Sequence, residues 1–218
     1  KVGDFMREHL FDRVVDLDDP VVLRNLSEPE VGKVLFDSFK VAINALTIRD
    51  SGTSRIEGYI RLRDTRPFRT EPRGFLMAKR SVFNRIVGEG SADGLELAFA
   101  SFLEAAADVQ SFGKNYLAVG FKIDYVRADG DLSTYTPDFI VRTTDGIVWI
   151  VETKGREELD VPQKMARLKL WCEDATAASQ ADGGPSYRFV YVPEPSFELH
   201  KPASFAALAT SFREYQGT

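Results

Sequence analysis

Thr136-Pro137-Asp138-Phe139-Ile140-Val141-Arg142-Thr143-Thr144-Asp145-Gly146-Ile147-Val148-Trp149-Ile150-Val151-Glu152-Thr153-Lys154 reads as two β-strands joined by a tight hairpin. Residues 147–151 form an unbroken apolar run, suited to a strand buried on both faces. Two charges, Glu152 and Lys154, follow at its end, and period-two geometry points both to one face. A three-residue loop with Gly146 left-handed pairs Thr143 with Ile147 and carries Asp138 opposite Glu152. Paired residues share a face with side chains about 5 Å apart. A two-residue Asp145-Gly146 turn would instead set Asp138 against Thr153, on the other face. The three-residue loop is preferred because it makes the charges converge. Two carboxylates held that close repel unless a cation lies between them or one is protonated. A hard divalent ion with oxygen ligands, Mg²⁺ or alternatively Mn²⁺, is the expected occupant.

The chemistry expected of such a centre is phosphodiester hydrolysis. Asp138 and Glu152 would hold the metal, with the Thr153 carbonyl as a further ligand. The ion would polarise a scissile phosphate and lower the pKa of a bound water. Lys154 would orient that water and offset charge developing on the phosphate. A Glu-x-Lys triplet by itself arises about once by chance in a chain of this size, and a surface ion pair is its plainer explanation. The buried-strand context and the convergence on Asp138 favour the site.

Working outward, residues 93–108 read as a helix beginning after Gly90-Ser91, and 117–126 as a strand. Residues 161–178 read as a helix with Met165, Leu168, Trp171 and Cys172 on one side. Residues 187–192 form a last strand and 203–215 a terminal helix. The predicted order is helix, three strands, helix, strand, helix, an α/β arrangement spanning 91–218. Residues 1–90 read as a helical extension with a basic connector. There Ser27-Glu28-Pro29-Glu30 looks like a helix start, and Asp50-Ser51-Gly52 looks like its stop.

Composition sets outer bounds. With 218 residues and a net charge of −5, the composition argues against a general nucleic-acid coat protein without excluding it. Charge is uneven, however: residues 55–85 hold nine basic and three acidic side chains, net +6, leaving −11 elsewhere. That patch can follow a phosphate backbone or be a solvated loop with scattered arginines. The single Cys172 excludes an internal disulfide, so a reducing, cytoplasmic location is expected. No stretch approaches the length of a membrane span. His9 and His200 are isolated from each other and from cysteine, which argues against zinc.

Thr136-Pro137-Asp138-Phe139-Ile140-Val141 followed by Val151-Glu152-Thr153-Lys154-Gly155 resembles the PD-(D/E)xK nuclease superfamily. Phe121-Lys122-Ile123-Asp124-Tyr125-Val126, Leu170-Trp171-Cys172-Glu173-Asp174-Ala175 and the connector Asp64-Thr65-Arg66-Pro67-Phe68 extend the likeness. They are similar to the C-terminal nuclease region of type III restriction enzyme cleavage subunits. The resemblance implies a restriction-endonuclease-like αβββαβ core with a central mixed four-stranded sheet flanked by helices. It implies double-stranded DNA as substrate, an ATP-driven helicase motor outside this sequence, and a methylation and recognition partner that supplies specificity. It also implies a further carboxylate on the preceding helix, for which Glu96 fits and Glu104 competes. A polar residue near the start of the following helix, Gln163 or Lys164, would touch the phosphate, and an exposed helix terminus explains both residues equally well. A repair exonuclease or junction resolvase of the same superfamily, or a non-catalytic DNA-binding or docking module, are the competing readings.

Overall fold

A computed structural model describes residues 14–49, 58–70, 74–88, 94–127, 129–155, 160–213 and 215. The expected helix stop at 50–52, the start at 90–91, connector residues 55–57 and 71–73, and His9 fall outside the described residues. The chain divides into two compact units, Lys1–Ser51 and Gly52–Thr218.

In the first unit, Asp19 caps helix α1 (Pro20–Leu26) by accepting from Val21 N at 2.8 Å, with Pro20 opening the first turn. Helix α2 spans Pro29–Arg49. Ser27, expected to cap α2, instead ends α1 and donates its hydroxyl to Leu23 O at 2.7 Å. A serine hydroxyl that follows a helix can reach the carbonyl four residues back instead of capping the next helix.

The second unit runs β1 (Phe75–Met77), β2 (Arg85–Val87), α3 (Leu95–Ala105), β3 (Val109–Lys114), β4 (Ile123–Val126), β5 (Leu132–Tyr135), β6 (Phe139–Thr143), β7 (Val148–Lys154), α4 (Val161–Ala181), β8 (Tyr187–Pro193), α5 (Glu194–His200) and α6 (Phe205–Ser211). Strands β3, β6, β7 and β8 form a mixed sheet in that order, antiparallel except for the parallel β7–β8 pair. The chain is therefore mixed α/β, with a four-stranded mixed sheet and six α-helices among the described residues.

Several elements differ from the sequence expectation, among them the β1–β2 pair in the stretch read as connector and the unforeseen β5. Only the end of the 117–126 stretch is a strand, and it pairs with β5 in a separate hairpin. The first strand of the central sheet is β3. Its register slips between Val109 and Ser111, and such a bulge erases the alternation by which a strand is read. The terminal helix expected at 203–215 is the shorter α6, and an unforeseen helix, α5, precedes it, parted from it at Lys201, whose φ is 38°, and Pro202. A proline cannot continue a helix.

The hairpin follows the three-residue loop. Thr143 N donates to Ile147 O at 3.0 Å, and Gly146, at φ 87°, donates to Thr143 O at 2.9 Å. Asp145 Oδ1 accepts from Thr143 Oγ1 at 2.5 Å and from Ile147 N at 3.3 Å. The resulting register runs from Arg142↔Val148 to Phe139↔Val151. Strand β7 is buried at its five middle positions, as its apolar run requires. One face packs under α3, α5 and α6 through Phe99, Phe139, Val151, Phe197 and Phe205. The other packs against α4 and the β4–β5 hairpin through Ile150, Phe189, Met165, Leu168 and Tyr135.

The connector belongs to this second unit. Val82 N donates to Phe112 O at 2.8 Å, and Phe112 N to Arg80 O at 3.2 Å, so residues 80–82 cover the edge of β3. The Arg80 guanidinium donates to Ala106 O and Val109 O, which makes it a structural arginine. Arg61, Arg63, Arg66, Arg69, Lys79 and Arg85 remain exposed.

Candidate active site

The two central strands part at the end of the sheet. Asp138 N donates to Val151 O at 3.0 Å, although Val151 already pairs with Phe139. Residues 138 and 139 thus share one partner, and the ladder bulges at Asp138. A bulge re-aims the side chain it carries. Asp138 Oδ2 turns to Thr153, accepting from its amide at 2.7 Å and its hydroxyl at 2.6 Å. The register expected from the hairpin therefore holds up to Phe139, and the carboxylate of the next residue is redirected along β7.

Glu152 is 6% exposed. It alternates with Val151 and Thr153, so it shares the face of Ile150, toward α4. It lies in register with Tyr191 of β8. Lys154 projects to the same face, is half-buried, and lies in register with Pro193. Burying a carboxylate is costly, and the apolar interior of β7 gives way to polar groups at this end only.

Glu96 enters from the first turn of α3. Its Oε2 lies 2.8 Å from Lys114 Nζ, and Lys114 also donates to Val87 O at 3.1 Å. Lys114 is 2% exposed. Both groups act on Asp138, whose carboxyl is pushed up to about 6. Burial is the main cause; the Thr153 hydrogen bonds oppose it, Glu96 adds to it and Lys114 reduces it. Glu104 has a different occupation, since its carboxylate accepts from Lys79 N and Arg80 N, each at 3.0 Å. Of the two helix carboxylates weighed in the sequence, Glu96 stands by Asp138 and Glu104 anchors the connector.

Gln163 and Lys164 sit in the first turn of α4. Gln163 Oε1 is buried without a hydrogen-bond partner among the described residues. Lys164 Nζ stands 5.7 Å from the centre of the Tyr125 ring, so its charge rests on an aromatic face.

Three groups near the centre were not foreseen. Lys114 and Asn115 fell in a gap between an expected helix and an expected strand. Asn115 N donates to Asp138 O at 2.7 Å, and its Nδ2 donates to Phe121 O at 3.0 Å and Pro137 O at 2.9 Å. Those two bonds use both amide hydrogens, leaving Oδ1 buried with no partner among the described residues. Tyr135, three residues before Asp138, is 7% exposed, and its hydroxyl is likewise without a partner among the described residues. Burial first, then the Glu152 charge, pushes its phenol far above the ordinary range. A strand tyrosine next to a Pro-Asp step was the available signal, but core tyrosines are common.

Among the described residues no three His, Cys, Asp or Glu side chains converge on one point. At the sheet end Asp138 is brought together with the neutral oxygens of Thr153, and Glu152 lies one position away on the face of Ile150. Mg²⁺ is commonly held by one or two carboxylates with water completing its shell, so the residues present fit such an ion. Comparison with protein-family models, with curated proteins and with solved structures returns no match.

Proposed function

We propose that this chain is a Mg²⁺- or Mn²⁺-dependent nuclease domain that hydrolyses phosphodiester bonds of double-stranded DNA, with Asp138, Glu152 and Lys154 as catalytic residues. The observation that carries the reading is the end of β7. There a buried Glu152 and a half-buried Lys154 emerge beside a bulged Asp138 whose carboxyl is pushed up to about 6. Perturbed carboxyls cluster where chemistry is done. The order α3, β3, β6, β7, α4, β8 supports a restriction-endonuclease-like αβββαβ core with the β4–β5 hairpin as an insertion.

In this reading Asp138 and Glu152 hold the divalent ion, and the Thr153 carbonyl is a further ligand. When bound, the ion supplies Lewis acidity toward the phosphate and the attacking water. Thr153 keeps the Asp138 carboxylate aimed through its amide and hydroxyl. Lys154 orients the water and offsets charge on the phosphate. Glu96, held by Lys114, acts on the water network from the α3 side. Gln163 approaches the phosphate from the start of α4. Lys164, resting on Tyr125, contributes positive field there rather than a fixed contact. The exposed arginines 61, 63, 66 and 69 follow the DNA backbone. A helicase motor and a methylation and recognition subunit, as in type III-like restriction systems, are the partners proposed to deliver ATP-driven translocation and sequence choice, in the cytoplasm.

The test is plasmid cleavage in Mg²⁺ or Mn²⁺ by the parent chain, Asp138→Ala and Lys154→Ala. Each substitution is expected to reduce cleavage by on the order of 100-fold or more. Cleavage indifferent to both substitutions refutes the assignment.

A further inference from the structure

Two oxygens near Asp138 and Glu152 are deeply buried and lack a hydrogen-bond donor or acceptor among the described residues: Asn115 Oδ1 and Tyr135 Oη. Both side chains are more than nine-tenths buried, at 5% and 7% exposure. They reach the site from different strands. Asn115 continues β3, and its backbone N–H is bonded to Asp138 O. Tyr135 ends β5 and packs in the same cluster as Ile150 and Tyr191, which flank Glu152 along and across the sheet. The orientation of Asn115 is fixed by chemistry: both amide hydrogens are committed to the carbonyls of Phe121 and Pro137, so the remaining atom is an acceptor. Tyr135 packs edge-on against Tyr125, ring centres 5.8 Å apart, and its hydroxyl lies within electrostatic reach of both Glu152 and Asp138.

Buried polar atoms are almost always satisfied by protein or by ordered water. An acceptor and a donor–acceptor left open beside two carboxylates match what a hydrated cation presents, since its waters donate outward and accept nothing from the metal side. We propose that Asn115 and Tyr135 are positioning residues that hold the water layer of a divalent cation seated by Asp138 and Glu152. This rests on the proposed metal-dependent function and extends it to two residues outside the motif. Partners of this kind typically alter metal affinity by 10- to 100-fold when removed.

Tyr135→Phe removes the hydroxyl and nothing else, so it is the informative variant; replacing Asn115 would also free two carbonyls. Mn²⁺ affinity of the full chain is measured by calorimetry for the parent, Tyr135→Phe and Asp138→Asn, with thermal unfolding of each in chelator. The expected result is a Kd raised about tenfold by Tyr135→Phe, with the metal-free melting temperature unchanged or higher, because an unsatisfied buried hydroxyl has been removed. A merely structural tyrosine would lower the melting temperature and leave Kd alone. As a second readout on the parent chain, the ¹³Cζ resonance of Tyr135, assigned by its loss in Tyr135→Phe, moves on Mg²⁺ addition. Loss of Mn²⁺ binding in Asp138→Asn, with Tyr135→Phe within twofold of the parent and a stationary resonance, overturns this inference alone. Unchanged affinity in Asp138→Asn, or no binding by the parent chain, removes the metal site and this inference together.

Discussion

Replacing Asp138 by asparagine in the metal-free protein tests the electrostatics of the sheet end directly. The carboxyl is pushed up to about 6 from an ordinary value near 4, chiefly by burial. The native state therefore keeps its proton where the unfolded chain has released it. Between about pH 4 and pH 6 the folded form binds more protons, so stability falls as pH rises through that window and levels off above it. A displacement of about two pH units corresponds to roughly 3 kcal/mol. The amide cannot ionise, yet its oxygen can still accept from the Thr153 amide and hydroxyl. The assay is urea unfolding of parent and Asp138→Asn in chelator across pH 4 to 8, read as the difference between the two proteins so that other groups cancel. That difference is expected to shift against the parent by up to about 3 kcal/mol, with most of the change complete by pH 6.5. Adding Mg²⁺ at pH 7.5 should then stabilise the parent and not the variant, because only the ligand-competent native state gains from binding. A difference that stays flat, or that moves in the parent's favour with rising pH, would refute the account of Asp138 as a carboxyl penalised by burial.

Lys114→Met should destabilise the chain by about 3 kcal/mol, because it leaves Glu96 at a poorly solvated position without its 2.8 Å partner; the double variant with Glu96→Gln should recover part of that loss in chemical denaturation. Glu104→Ala should cost about 2 kcal/mol by freeing the amides of Lys79 and Arg80, while Mn²⁺ affinity stays at the parent value; a weakened Kd would place Glu104 in the site after all. Gly146→Val, at φ 87°, should cost about 1–2 kcal/mol through left-handed strain, seen as a lower melting temperature, and a neutral result would mean the loop has another conformation.

The sequence alone was sufficient for the hairpin at 139–154 and for helix α4. An apolar strand buried on both faces, a turn that needs one left-handed glycine, and a long run at helical period are local properties, and local sterics enforce them wherever the chain goes. It was sufficient also to nominate Asp138, Glu152 and Lys154, since charges at the end of such a strand are conspicuous. Three matters required the folded molecule. The bulge at Asp138 arises where β6 and β7 diverge, and no periodicity records how a ladder ends. Strand β3 was unreadable because its bulge breaks alternation and its last residue, Lys114, is a charge that is tolerated in the interior because Glu96, from a helix eighteen residues earlier, and the Val87 carbonyl both accept from it. The distinction between Glu96 and Glu104, one acting beside Asp138 and the other fastening the connector, depends on what each meets across the core. Burial and pairing are set by contacts between distant segments, and for a charged side chain those contacts decide whether it is a strut, a ligand or a solvated ornament of the surface.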